Sequence, residues 1–327
     1  YRDKNAQYDV LVPGSGGKDS IFVSEILKKK YKMKPLTVTW APHMYTNIGW
    51  HNLQAWCQTG LDNILVTPNY KVHSKLTSLA FKNLVNPFQP FILGQKICAP
   101  KIALKFGIKL IMYGENNAEA RGNHKENLSP VMNRKHYTRK NSKTKLFFGG
   151  VSLENLKKFG INKSDMEIYM PPLEKDIIKK NIVVHFMSYY KKWSPQENFY
   201  FAKKNSGFQT NIDGRSEGTY SKFSSLDDKI DGQHYYTMFI KFGQGRAMND
   251  ACRDIRDGFI TRDEALLLMK KYDGEFPKKY FKEFLDYIDI TEKEYWKIID
   301  RARPKSLWTK KNKKWCLRKN VWDKNVN

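Results

Sequence analysis

The chain has 327 residues, 40% hydrophobic and 14% aromatic, and this composition excludes an intrinsically disordered protein. No apolar run approaches the roughly 20 residues of a membrane-spanning helix and no signal peptide is visible, so we expect a cytoplasmic protein without a membrane partner. The 58 basic and 33 acidic residues leave a net charge of +25, which nucleic acid, an anionic small substrate or a lysine-rich proteome would each explain.

A glycine-rich turn follows the first predicted strand. Residues 10–20 read VLVPGSGGKDS, and apolar residues then recur at helical spacing up to Tyr31. A strand, a glycine turn and a helix together direct backbone N–H groups and a helix N-terminus at an anion. The predicted anion-binding residues are Pro13, Gly14, Ser15, Gly16, Gly17, Lys18, Asp19 and Ser20.

This turn matches neither common nucleotide fingerprint. The mononucleotide loop requires Ser or Thr after the lysine, where Asp19 stands, and a first glycine where Val12 stands. The dinucleotide pattern fails because Asp19 also occupies the place of its third glycine. The remaining Ser-Gly-Gly-Lys-Asp-Ser resembles the pyrophosphate loop of the PP-loop ATP pyrophosphatases, which split ATP into AMP and pyrophosphate. The resemblance implies ATP binding, with Lys18, Asp19 and Ser20 as catalytic residues; the alternative is a turn that only joins a strand to a helix.

Strands and helices alternate in the first 115 residues. The further strands predicted are 35–40, 63–67 and 109–113, and the helices are 51–60, 71–84 and 99–106, with a proline-broken loop at 87–95. This order predicts an α/β fold with a doubly wound, mostly parallel sheet, of the HUP-like (adenine nucleotide alpha hydrolase) type that the resemblance implies. Ligands bind at the carboxyl ends of such strands, so Thr39 and Trp40 are candidates for the adenine pocket, although Trp40 equally suits the core.

The end of the fourth strand is the second stretch with chemical potential. Gly114 would let a nucleotide approach the backbone, and Glu115 and Glu119 are candidate ligands for Mg²⁺. PP-loop enzymes carry a glycine and acidic residues at the equivalent place. Each glutamate taken alone equally fits a solvated loop.

The second half of the chain is expected to bind the substrate. We divide the chain into an ATP-binding domain (1–125), a basic insertion with short helices (126–204), a substrate-side region (205–277) and a basic, tryptophan-containing tail (278–327) in a mostly helical C-terminal part. Arg215, Lys241 and Arg246 are predicted to bind an anionic group, and solvated surface turns are the alternative. The tail is interpreted as a docked segment, with nucleic-acid binding as its alternative.

The four cysteines are scattered and form no Cys-x-x-Cys pair. This spacing argues against a structural zinc site or a redox pair and fits a reducing compartment. Cys98 precedes a predicted helix. A packed core thiol is its first interpretation, and a catalytic thiol is the alternative.

Several later motifs resemble those of the N-acetyl sugar amidotransferases, which include PseA-type and WbpG-type enzymes of pseudaminic acid (flagellin glycan) and lipopolysaccharide biosynthesis. The motifs are YGEN at 113–116, SEGTYSK at 216–222, DDKIDG at 227–232, KFGQGRA at 241–247 and YDGEFP at 272–277. The resemblance extends from about Tyr8 to Pro277. Members often carry a cysteine-rich zinc-binding segment before the first strand, and we expect such a segment, where present, to precede Tyr1.

The resemblance implies a reaction. The acetamido oxygen of an anionic sugar attacks the α-phosphate of ATP in the presence of Mg²⁺, and ammonia from a separate HisH/HisF-like glutaminase/synthase pair then displaces AMP to leave an acetamidino group. A PP-loop enzyme that modifies tRNA is the alternative, since it shares the ATP chemistry and also explains the positive charge. A nucleotide-binding module without catalytic activity is the third hypothesis.

Overall fold

The computed structural model describes residues 1–114, 116 and 129–323. Five parallel strands form the central sheet in the order β3-β2-β1-β4-β7, and two further strand pairs are antiparallel hairpins. The strands are β1 (Val10–Pro13), β2 (Pro35–Trp40), β3 (Asp62–Val66), β4 (Leu110–Tyr113), β5 (Phe147–Phe148), β6 (Val151–Ser152), β7 (Val183–Phe186), β8 (Trp308–Lys311) and β9 (Lys314–Leu317).

Helices follow the strands and continue into the C-terminal part. The helices of the described residues are α1 (Lys18–Glu25), α2 (Asn47–Cys57), α3 (Tyr70–Leu84), α4 (Gln89–Phe106), α5 (Glu174–Lys179), α6 (Met187–Tyr190), α7 (Pro195–Asn205), α8 (Asp231–Phe242), α9 (Arg246–Asp257), α10 (Arg262–Tyr272), α11 (Phe281–Ile288) and α12 (Glu292–Arg301). A π-helical turn, Ile26–Lys30, extends α1, and 3₁₀ turns lie at Arg134–His136, Leu153–Phe159 and Ser164–Tyr169.

Both faces of the sheet are covered, which confirms the predicted doubly wound α/β arrangement. Successive residues of a strand point to opposite faces, so Val10 and Val12 pack with α1 and α2, whereas Leu11 packs with α3 and α4. The strand order reverses at β1, between β2 and β4. At such a point the chain leaves neighbouring strands in opposite directions, and a crevice opens at their carboxyl ends.

The prediction of a loop over residues 87–95 is wrong, because α4 runs without interruption through 89–106. Pro90 lies in the first turn of this helix, where a residue without an N–H group costs no intrahelical hydrogen bond. Pro100 lies inside the helix and is fully buried against the sheet, so packing offsets the loss of one backbone hydrogen bond. Prolines alone therefore gave a misleading signal.

The tail packs on the C-terminal helices. A capping box at Thr261 and Glu264 opens α10. Trp308 is buried and donates its indole N–H to the Ile240 carbonyl at 2.8 Å, while Trp315 donates to Asp300 at 3.0 Å. These bonds support the interpretation of the tail as a docked segment.

The sheet takes its outer strand β7 from residues 183–186, so it extends beyond the segment 1–125. No helix within the described ranges is long and apolar enough to cross a membrane.

Candidate active site at the carboxyl edge of the sheet

The glycine-rich turn lies at the carboxyl end of β1, where the strand order reverses. A Cβ atom on Gly14 would lie 2.2 Å from the Cβ of Ser20. Gly16 has a φ of +82°, and a Cβ there would lie 2.6 Å from the carbonyl oxygen of Asn52. These two glycines are required because helices α1 and α2 press on the turn from both sides.

Gly17 differs from its neighbours because a side chain at this position would make only ordinary contacts. Its φ is −69°, which any residue adopts, and the atoms nearest to a Cβ at this position would be the Ser15 hydroxyl at 3.5 Å and an Asp227 oxygen at 3.9 Å. Gly17 is the N-cap of α1 and provides no side chain to cap it. The N–H groups of the first turn therefore face the crevice as hydrogen-bond donors at the positive end of the helix dipole.

Lys18 and Asp19 form an ion pair of 2.6 Å beside this helix end. The other Asp19 oxygen accepts hydrogen bonds from the indole N–H of Trp193 at 2.9 Å and from the Asn198 amide at 2.8 Å. Burial opposes ionisation, but Lys18 and these donors hold the pKa of Asp19 below its usual value. Asp19 is thus a fixed anion that orients Lys18.

Carboxylates from the second half of the chain complete the crevice. The Ser15 hydroxyl donates to Asp227 at 2.5 Å, which joins the turn to a residue 212 positions later. Burial, together with neighbouring carboxylates, raises the pKa of Asp227 to about 6 and that of Asp228 to about 8, and it also raises the pKa of Asp231. The motif at 227–232 therefore belongs to the site, although its residues alone had indicated no role.

The crevice comprises two connected spaces. The first, the loop cleft, has a volume of about 340 Å³ and is lined by Pro13, Gly14, Ser15, Gly17, Lys18, Asp19, Ser20, Pro42, Gly114, Asp227, Asp231 and Arg246 among others. The second, the side chamber, has a volume of about 580 Å³ and is lined by Trp193, Tyr220, Asp250, Arg253 and Asp254 among others. Lys18, Asp19, Tyr235 and Arg246 line both spaces.

The structure places Thr39 and Trp40 in the core and not on the wall of the loop cleft. β2 lies between β1 and β3, and all six of its residues are buried. The Thr39 hydroxyl accepts a hydrogen bond from Asn63 at 3.2 Å, and the Trp40 ring contacts Tyr169 edge to face at 5.4 Å. Gly114, by contrast, lines the loop cleft as expected.

Of the three predicted substrate cations, the loop cleft contains only Arg246. Arg215 forms a two-pronged ion pair with Glu275, with distances of 2.6 and 3.0 Å. Lys241 donates to the Leu84 carbonyl at 3.1 Å and lies ten residues, about 15 Å, along α8 from the cleft residue Asp231. The sequence did not show that Lys241 would lie in the last turn of α8, and that a glycine turn after this helix would lead to Arg246 at the start of α9.

The candidate metal ligands Glu115 and Glu119 lie outside the described residues. Within residues 1–114, 116 and 129–323, no group of three His, Cys, Asp or Glu side chains has the arrangement of a metal site.

Cys98 is part of the core that α4 forms against the sheet. Burial raises the pKa of its thiol to about 12, so the reactive thiolate is not formed near neutral pH. This environment favours the packed core thiol over the catalytic one.

Sequence reasoning missed Trp193, Asn198 and Arg253. Trp193 and Asn198 hold Asp19 from a segment far along the chain, and no local pattern marks them. Arg253 lies seven residues after Arg246 on the same face of α9, and this spacing is the one signal that was available.

Residues 217–321 are similar to the family model described as "LPS biosynthesis protein WbpG-like, C-terminal domain". No curated protein matches the chain. The matched residues include Asp227, Asp231 and Arg246 of the loop cleft, and they support a WbpG-type protein of lipopolysaccharide biosynthesis.

Proposed function

We propose that this protein is an ATP-dependent amidotransferase that converts an N-acetyl group of an anionic sugar into an acetamidino group. The observation that carries the proposal is the loop cleft itself. In it, the turn 15–20 faces carboxylates and an arginine from the segment that resembles a lipopolysaccharide-biosynthesis domain. The glycine-rich turn and the matched segment therefore share one cavity.

The residues of the loop cleft suit a nucleotide triphosphate. The uncapped N-terminus of α1 supplies N–H donors, and the open position at Gly17 lets phosphate oxygens approach the backbone. Lys18 adds a positive charge held in place by Asp19. These groups would stabilise the negative charge that develops when the bond between the α- and β-phosphates breaks.

The proposed reaction has two steps. The acetamido oxygen attacks the α-phosphorus of ATP, and pyrophosphate leaves to give an O-adenylated imidate. Ammonia then adds to the imidate carbon and AMP leaves with the oxygen, so that C=O becomes C=NH after loss of a proton. ATP is consumed because an amide is a poor electrophile and AMP is a good leaving group.

Mg²⁺ fits the carboxylates of the loop cleft. Asp227 and Asp231 are part-buried, and desolvation raises the pKa of each despite the nearby cations Lys18 and Arg246. Oxygen ligands of this kind, together with phosphate oxygens, are those that Mg²⁺ prefers. The ion would neutralise charge on the phosphates, and Glu115 and Glu119 stay as further proposed ligands. Ammonia is proposed to come from a separate glutaminase/synthase pair.

The function is tested by incubating the protein with ATP, Mg²⁺, ammonium and a di-N-acetylated acidic sugar. We expect AMP, pyrophosphate and a sugar in which an imino group has replaced one oxygen, detected by mass spectrometry. Lys18→Gln and Asp19→Asn are expected to abolish AMP formation while the circular dichroism spectrum is retained. AMP formation that requires tRNA and not the sugar would replace this proposal with the tRNA-modifying alternative. No AMP with either acceptor would favour a nucleotide-binding module.

A further inference from the structure

The side chamber has a structure of its own beside the loop cleft. It is lined by aromatic side chains and by polar residues of α8 and α9. Its volume of about 580 Å³ is in the range of cavities that hold small organic ligands. The aromatic residues include Trp193, Tyr220, Phe223 and Tyr235.

Two arginines in this chamber share one carboxylate. The Arg246 Nε lies 3.0 Å from both oxygens of Asp250, and an Nη group of Arg253 donates to Asp250 as well. Ser224 donates to the same carboxylate at 3.1 Å. Burial opposes its ionisation, yet the two guanidinium groups lower the pKa of Asp250. Asp250 is therefore saturated with donors.

The other carboxylates near the arginines have partners of their own. The Tyr220 hydroxyl donates to Asp254 at 2.5 Å, and the positive charge of Arg246 attracts Asp231. In contrast, the Nε of Arg253 is buried and has no hydrogen-bond partner in the part of the chain that the structure describes. The unpaired hydrogen-bonding group near α9, the Nε of Arg253, is thus a donor. A ligand that complements it must bring an acceptor.

Aromatic rings hold both guanidinium planes. Arg246 lies over the Tyr235 ring at 4.7 Å and receives a fixed direction because it donates to the Tyr235 hydroxyl at 2.6 Å. Arg253 lies over the Trp193 ring at 5.2 Å. Stacked guanidinium groups lose little entropy when they bind a planar, two-oxygen acceptor, so a carboxylate suits them better than a hydroxyl.

We infer that the side chamber binds the acceptor sugar and that Arg253, together with Arg246, contacts its carboxylate. The inference rests on the proposed function and assigns the residues that bind the acidic group. Trp193 contributes to both parts of the site, because its ring supports Arg253 and its N–H donates to Asp19. A sugar held at the arginines therefore lies in the same cavity as Lys18, which lines its other wall.

The test is binding in the absence of ATP, measured by calorimetry with N-acetylneuraminic acid and with its methyl ester. The ester lacks the charge-assisted bond that the acid forms with arginine. The wild-type protein should therefore bind the acid about ten-fold or more tightly than the ester. Arg253→Gln should reduce this ratio to within about two-fold. Arg253→Lys keeps the charge near Asp250 but loses the planar fork, so its ratio should be intermediate. Arg256→Gln removes a charge from an exposed position of the same helix and should leave the ratio unchanged.

Equal binding of acid and ester by the wild-type protein overturns the inference, whether or not the variants fold. It is also overturned if Arg253→Gln weakens acid and ester equally, because that result indicates a purely structural role. Failure of the proposed function gives a different result, namely no AMP formation with any acceptor, while the preference for the acid persists.

Discussion

Three glycine-to-alanine variants separate the structural role of the glycine-rich turn from its proposed role in binding phosphate. In Gly16→Ala the residue must adopt a φ of +82°, and its new Cβ lies 2.6 Å from backbone atoms of α2. Left-handed strain costs about 1–2 kcal/mol and overpacking about 1–3 kcal/mol. We expect the free energy of unfolding to fall by about 2–5 kcal/mol, a large fraction of the stability of a typical domain.

Gly17→Ala should have the opposite profile. Its backbone is already in a region open to alanine, and the nearest atom to the new Cβ is 3.5 Å away. The free energy of unfolding should stay the same or rise by up to about 1 kcal/mol, because alanine restricts the unfolded chain. The methyl group, however, occupies the approach to the N-terminus of α1. We expect ATP affinity to fall at least ten-fold, or by about 1.4 kcal/mol.

The assays are urea unfolding followed by tryptophan fluorescence, and calorimetric titration with ATP and Mg²⁺. Gly107→Ala is the matched control, since Gly107 has a φ of +68° and a Cβ added there would have no atom within 4 Å. It should lose about 1 kcal/mol of stability through strain alone and keep wild-type ATP affinity. Wild-type ATP affinity in Gly17→Ala would refute the assignment of this turn to phosphate. Wild-type stability in Gly16→Ala would refute the packing argument.

Three further predictions concern residues outside the turn. Glu275→Gln should lower the free energy of unfolding by no more than about 1 kcal/mol, because the ion pair of Glu275 with Arg215 is one-third exposed. The variant should leave ATP and sugar binding unchanged in titration. A loss of sugar binding would indicate that Arg215 belongs to the site. Burial raises the pKa of Asp228 to about 8, so its contribution to stability is lost as pH rises from about 4 through 8, with a slope of up to about 1.4 kcal/mol per pH unit. In urea unfolding, the free energy of unfolding of Asp228→Asn minus that of the wild-type protein should therefore be larger at pH 8 than at pH 5. The same difference at both pH values would contradict this prediction. Cys98→Ala should retain AMP formation in the amidation assay, whereas complete loss in a folded variant would restore the catalytic thiol.

Local patterns predicted the sheet and its turn because each depends on residues close in sequence. The apolar runs at 10–13 and 35–40 are buried on both faces, as their composition indicates, and the glycines at 14 and 16 are those that the packing requires. The capping box at Thr261 was equally readable, since both of its hydrogen bonds join residues three apart. By contrast, the prolines near residue 90 gave a wrong prediction because their effect depends on position within a helix.

The sequence by itself determined that a strand, a glycine turn and a helix bring a glycine-rich loop to the edge of a parallel sheet. Only the tertiary structure decided what faces that loop. Asp227 meets Ser15 across 212 residues, and Arg246 enters the cleft while Lys241 and Arg215 do not. The physical reason is that the charge of a side chain and its spacing in the sequence indicate only what it can bind. The packing of helices from distant segments determines where that side chain lies.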